Sequence, residues 1–139
     1  VSVLSLLQEV RKLLAEPLSW LHNGLYAGVR VCDSWGRPLP PRSCYDYEEP
    51  NCFCIAGALN HVGRRYPADE HQRAIRVVYE LIPDGSPITE WNDRHRRRHS
   101  EVVALLDDAV WKVSPSPQLA LFPTTTPAEQ ASAKETEKP

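Results

Sequence analysis

The stretch PADEHQRAIRVVYELI, residues 67–82, decides the fold class. Ala74, Ile75, Val77, Val78, Leu81 and Ile82 recur at spacings of three and four, which gathers them on one face of a 3.6-residue helix. Pro67 suits a first-turn position, where its missing N–H would have had no partner. Asp69 and Glu70 then lie at the positive end of the helix dipole. Pro83, Asp84 and Gly85 stop the helix. An amphipathic helix of this kind must bury its stripe against other elements, so the chain needs partner helices or a sheet.

The same period continues outward. Val3, Leu6, Leu7, Val10, Leu13 and Leu14 form a stripe with Glu9, Arg11 and Lys12 opposite, and Pro17 ends that helix. Leu18 to Val31, with Trp20, Leu21, Leu25 and Tyr26, reads as a second short helical or turn segment. Between Asp33 and Pro50, Gly36, Pro38, Pro40 and Pro41 exclude a regular helix. A connection this long is expected either to pack on the surface as an ordered functional loop or to be mobile. Asn51 is the expected N-cap of a helix from Cys52 to about Val62. Gly57 inside it, which costs about 1 kcal/mol against Ala, implies with Ala58 and Leu59 a close contact with another helix. Pro87 to Arg98 reads as a connection, and Ser100 and Glu101 start a last helix. The expected buried face of that helix is Val102, Leu105, Leu106, Ala109, Val110 and Trp111. The fold class expected is mostly α: a bundle of about four helices over residues 1–112, with a long Pro-rich loop.

From Val113 the composition changes. Ser114-Pro115-Ser116-Pro117, Pro123-Thr124-Thr125-Thr126-Pro127 and the stretch to Pro139 have no apolar period. A segment like this cannot offset its ordering entropy, so 113–139 is expected to be a disordered tail. The chain as a whole has 42% hydrophobic and 24% charged residues, ordinary for a globular protein, and a net charge of -2. No global cationic field draws it to nucleic acid or membrane. Gln8, Glu9, Arg11 and Lys12 interrupt any signal-peptide core, and no run of 18 apolar residues exists. Cys32, Cys44, Cys52 and Cys54 therefore read as reduced thiols or metal ligands in a cytoplasmic protein.

One apolar island interrupts the tail: Gln118-Leu119-Ala120-Leu121-Phe122, held extended between Pro117 and Pro123. It resembles the bacterial sliding-clamp-binding motif, Gln-Leu-(Ser or Asp)-Leu-Phe, with which polymerases, repair enzymes and clamp loaders dock on the replicative clamp. Four of the five positions match, and a chance match has a probability of about two in a thousand for this length. Ala120 departs from the preferred middle residue and should weaken binding without abolishing it. The resemblance implies one partner, the sliding clamp (beta subunit) of bacterial DNA polymerase III. Leu121 and Phe122 would fill its apolar pocket, Gln118 would satisfy a polar subsite and Leu119 would support the extended backbone. Because many replication proteins share that pocket, occupancy alone would exclude them.

A second resemblance covers residues 18–112. Trp20 with a following Asn-Gly-Leu-Tyr, Cys54-Ile55-Ala56-Gly57-Ala58-Leu59, Trp91-Asn92-Asp93 and Glu101-Val102-Val103-Ala104-Leu105-Leu106 resemble a domain family of unknown function from actinobacteria and their phages. From the residues themselves, Trp91 reads as a core plug, and Asn92 and Asp93 as caps on the approach to the last helix. A thiol at a helix N-terminus can be a nucleophile, which leaves Cys52 or Cys54 with His61, His95 or His99 as an enzymatic alternative. Four thiolates could hold zinc, although Cys-x-Cys is not the usual spacing. Arg94, Arg96, Arg97 and Arg98 are a possible secondary contact to phosphates or an acidic protein rim. This run lacks the interleaved aromatics of a single-strand binder, and a direct nucleic-acid contact is not the expectation. The expected function is that of a phage-encoded, non-enzymatic binding protein that inhibits or redirects host DNA replication. No cofactor, metal, small-molecule substrate or membrane contact is expected.

Overall fold

The computed structural model describes residues 2–22 and 24–115. Helix α1 (Val3–Leu13) starts where the Ser2 hydroxyl accepts from the Ser5 N–H at 3.0 Å. A 3-10 turn, Pro17–Ser19, follows it. Strands β1 (Ala27–Gly28) and β2 (Cys52–Phe53) pair antiparallel, Ala27 opposite Phe53 and Gly28 opposite Cys52. Helices α2 (Ile55–Gly63), α3 (Ala68–Glu80), α4 (Ile88–Asp93) and α5 (His99–Val113) complete the order.

The four expected helices are all present, and the domain is mostly helical. Helix α1 packs on α5, α2 and α3, and α3 packs on α2 and α5. The stripes meet in one core, where Leu6, Leu7, Val10, Leu59, Val78 and Leu106 are fully buried. Burying a Leu or Val side chain contributes about 1.5–3 kcal/mol, so the stripes are what drive the helices together. Among the described residues no helix is long and apolar enough to cross a membrane.

Several local expectations are corrected. The segment 18–31 is not a helix beyond the 3-10 turn; it becomes the edge strand β1. Helix α2 is capped by Cys54, not Asn51, and Cys52 lies in β2. The Asn51 side chain instead accepts from Arg30 N–H at 2.8 Å and donates to Arg30 C=O at 3.0 Å, which fastens the end of β1's strand line to the entry of β2. Gly57 is indeed a close approach, but to the backbone just before β1 rather than to a helix: a Cβ there would lie 1.7 Å from the Tyr26 carbonyl oxygen. The connection 87–98 contains the extra helix α4. Trp111 is 39% exposed, because the α5 stripe continues from Ala109 to Val113 one turn on.

The Pro-rich loop is ordered through hydrogen bonds of its own. Val29 and Arg42 exchange N–H···O bonds at 2.8 and 3.0 Å, and Leu39 N–H donates to Val31 C=O at 2.7 Å. The Asp33 carboxylate accepts from the Trp35 and Arg37 N–H groups at 2.9 Å each, and Gly36 takes φ +80° to close the tip. A hairpin-like projection over 31–39 results, with Trp35 at its end.

Candidate functional site

Of the two residue sets expected to contact a partner, the basic run is the one that falls among the described residues. Arg94 pairs with Asp84 and reaches Ser86 Oγ at 3.2 Å. Ser86 and then Arg94 hold the Asp84 carboxyl well below the usual carboxylate range. Arg97 lies over the Trp91 ring at 3.7 Å, donates to the Trp91 C=O at 2.9 Å and approaches Glu101 at 3.4 Å. These two arginines are structural fasteners. Arg96, at φ 67°, and Arg98 are exposed, and neither forms an ion pair among the described residues. The Arg98 backbone N–H donates to Glu101 Oε1 at 2.8 Å, which starts α5 and lowers the Glu101 pKa, chiefly through that bond.

Both ends of the run are tied to residues far away in sequence. His22 Nε2 meets Arg94 C=O at 2.8 Å, and His99 Nε2 meets Leu14 C=O at 2.6 Å. Their rings flank Trp20, with centroids 5.2 and 6.1 Å from its own. An open cleft of about 400 Å³ lies here, lined by Leu18, Trp20, His22, Arg30, Pro41 and His99 among others. A second open cleft of about 290 Å³ shares Leu18 and Arg30 with it and runs along Val31, Cys32 and Pro38 of the hairpin. Arg30 donates to the Leu18 and Trp20 carbonyls at 3.0 and 3.4 Å, which holds the cation between the two clefts.

The thiols are differently placed. Cys52 and Cys54 are buried, Cys32 is exposed, Cys44 is half-buried, and all four are free. Cys54 Sγ accepts from the Gly57 N–H at 3.3 Å as the cap of α2. Burial pushes both the Cys52 and Cys54 thiols up, and this outweighs the helix N–H groups around Cys54. Two of the three candidate bases have other partners, His61 and, on the Leu14 C=O, His99, while His95 is exposed. His61 stacks on Phe53 at 4.6 Å and meets Arg64 at 2.9 Å; burial and then Arg64 lower its pKa. Asn92 is committed to four hydrogen bonds described below. Among the described residues no group of three or more His, Cys, Asp or Glu side chains could hold a metal ion. Residues 118–122 of the tail lie outside the described residues.

A domain family of unknown function (DUF6197) matches residues 1–110. The chain belongs to that family. Comparison with curated proteins and with solved structures gives no match. In this DUF6197 domain Trp20, Trp91 and Asn92 are fasteners. Asn92, fully buried, accepts from Trp20 Nε1–H at 2.8 Å and from Ile55 N–H at 3.0 Å. It donates to Leu21 C=O at 2.8 Å and to Asp93 Oδ1 at 2.9 Å. It therefore caps α2 and not α5, which corrects the expected role. Trp91 is 7% exposed within the core, the plug the sequence suggested. The sequence reading missed Arg30, His22 and Trp35 as surface groups. The Asp33-Ser34-Trp35-Gly36 turn, which lifts an indole off the surface, was the available signal.

Proposed function

We propose that the protein is a non-enzymatic binding protein that docks on the bacterial DNA polymerase III sliding clamp through Gln118–Phe122 and competes with replication proteins for their shared pocket. The carrying observation is the match of Gln118, Leu119, Leu121 and Phe122 to the clamp-binding pattern between two prolines. Two features of the folded domain favour this reading. Among the described residues the core is built from buried side chains of residues 3–109. At the end of α5 the chain turns to extended backbone at Ser114, ψ 134°, and Pro115 is exposed. We take the partner to be the clamp of an actinobacterial host, met in the host cytoplasm, and the protein to be phage-encoded.

Burying Leu121 and Phe122 supplies about 1.5–3 kcal/mol each before ordering costs, which gives a docking peptide of roughly micromolar affinity. The test is binding of the full chain to purified actinobacterial clamp by surface plasmon resonance. L121A/F122A should lose about a hundredfold or more, and Ala120→Ser should tighten binding. Equal affinity of the double variant and the parent chain rejects the proposal.

A further inference from the structure

Four arginines among the described residues are half-buried: Arg11, Arg30, Arg42 and Arg97. Three of them face a carboxylate, Asp107, Glu48 and Glu101 in turn, at 2.8, 2.7 and 3.4 Å. Arg30 is the exception. Its Nε and Nη2 donate to the Leu18 and Trp20 carbonyls, so neutral dipoles hold the guanidinium and its charge has no counterion among the described residues. Two of its five N–H groups are spent in this way and three, on Nη1 and Nη2, remain. Asp46, Glu49, Glu90 and Asp93 stand in neighbouring segments, yet none lines either cleft or pairs with Arg30. Two imidazoles share the larger cleft with it. His22 Nε2 and His99 Nε2 each meet a backbone carbonyl, which can only accept, so the Nε2 atoms carry the protons. Each Nδ1 is left to meet a ligand, as a second N–H donor once the ring is protonated.

We infer that the cleft of about 400 Å³ binds a small organic phosphate, with Arg30 on the phosphoryl oxygens and His22 and His99 as further donors. A guanidinium that the fold positions through carbonyls and leaves without a counterion is an anion receptor, and its unspent N–H groups suit a bidentate pair with an oxyanion. The number of donors selects the anion. One guanidinium edge satisfies a carboxylate, whereas a phosphate monoester carries a charge of about -1.5 to -2 and three strong acceptor oxygens. One guanidinium and two imidazoles match those three oxygens, and they come from separate segments: His22 before β1, Arg30 after it and His99 at the start of α5. Leu18 and Pro41 line the same cleft with apolar surface for the organic group. The groups are preformed, because both imidazoles pack against an indole that Asn92 fixes at 2.8 Å, which lowers the ordering cost of binding. This inference is independent of the tail.

The experiment is an NMR titration of the isotope-labelled full-length chain with phenyl phosphate, at constant pH and ionic strength and with no clamp present. Benzoate, its carboxylate counterpart, and inorganic phosphate are titrated in parallel. Phenyl phosphate should shift the Trp20 indole N–H and the His22 and His99 ring signals saturably, and should bind about tenfold or more tighter than benzoate. Arg30→Met, which keeps the apolar stem, should weaken binding about tenfold or more, and Arg30→Lys, which keeps the charge without the fork, should fall between. His22→Phe keeps a ring on Trp20 and leaves Arg30 in place, so it tests the site even where Arg30→Met lowers the melting temperature; it should weaken binding about threefold or more. Arg76→Met, at an exposed position on α3, should bind as the parent does. Absence of a saturable shift at millimolar phenyl phosphate overturns the inference, as does binding that neither Arg30→Met nor His22→Phe changes. Benzoate binding as tightly as phenyl phosphate would also overturn it and assign the cleft to carboxylates.

Discussion

Replacing Asn92 by Ala should be among the most damaging single changes in this domain. Truncation removes two acceptor bonds and one donor bond that reach into buried surroundings, and leaves Trp20 Nε1–H, Ile55 N–H and Leu21 C=O unpartnered. Each such orphan costs about 1–3 kcal/mol. Partial relaxation, or a water entering the vacated space, would recover some of this, so the expected loss is about 3–5 kcal/mol. That is a large share of the roughly 5–15 kcal/mol that holds a domain together, and it corresponds to a fall in Tm of roughly 10–20 °C. Urea unfolding followed by far-UV circular dichroism measures it. Asn92→Asp sharpens the test, because it keeps the acceptor and loses the donor beside Asp93. Burial and the neighbouring carboxylate raise the folded-state pKa of the new group above the unfolded value of about 3.9. The folded state then binds its proton more tightly. Stability of this variant is therefore greatest below about pH 4 and falls as pH rises through the folded pKa. A loss below about 1 kcal/mol in Asn92→Ala, or a pH-independent Asn92→Asp penalty between about pH 3 and pH 7, would refute the role assigned to the amide.

Gly57→Ala should cost about 3 kcal/mol or more by urea unfolding, since the Tyr26 carbonyl that a Cβ would strike also accepts from Cys54 N–H at 3.1 Å and cannot simply retreat; a near-neutral variant would contradict the close approach. In native protein, iodoacetamide should alkylate Cys32 first and Cys44 more slowly, and should reach Cys52 and Cys54 only on unfolding, as mass spectrometry of digests would show. Glu48 is held at about 2 by its bidentate bond to Arg42 and by Tyr45 N–H, so its contribution to loop order is complete above its ordinary 4.5 and is lost as pH falls through about 2; a Tyr45 amide shift titrating near 4.5 would mean the Arg42 pair is not formed.

The parts of the fold that the sequence reveals are those where burial imposes a period. Helices α1, α3 and α5 run 11, 13 and 15 residues, long enough for a stripe to repeat, and each was readable from spacing alone. Helix α4 has six residues and strands β1 and β2 two each, too short for any period to register. Asn51 misled for a different reason. It is a good cap by composition, yet its amide was needed to bond both backbone groups of Arg30, and the helix began three residues later under a thiol, a weak acceptor that composition does not rank. Trp111 was misplaced because a bulky apolar residue next to a stripe is hard to separate from it until the stripe's next member, Val113, is known to pack inward.

Positions on the surface are harder to read, because the groups that meet there come from segments with no common period, and the buried amide of Asn92 governs whether they meet. It holds the indole of Trp20, which floors one cleft, and sits in α4, whose C-terminal end leads through Arg94 into the basic run. Loss of that amide should loosen Trp20 and allow the His22–Arg94 bond to open, without touching Trp35, Arg96 or Arg98 directly. Asn92→Ala should therefore shift and broaden the Trp20 indole N–H resonance even at temperatures where the variant is fully folded, while leaving clamp docking through residues 118–122 unchanged. Parallel NMR and clamp-binding measurements on this one variant separate the cleft from the tail. Loss of clamp docking as well would mean that the mutation acts by general unfolding. An unchanged Trp20 indole resonance would mean that the cleft does not depend on the amide at its base.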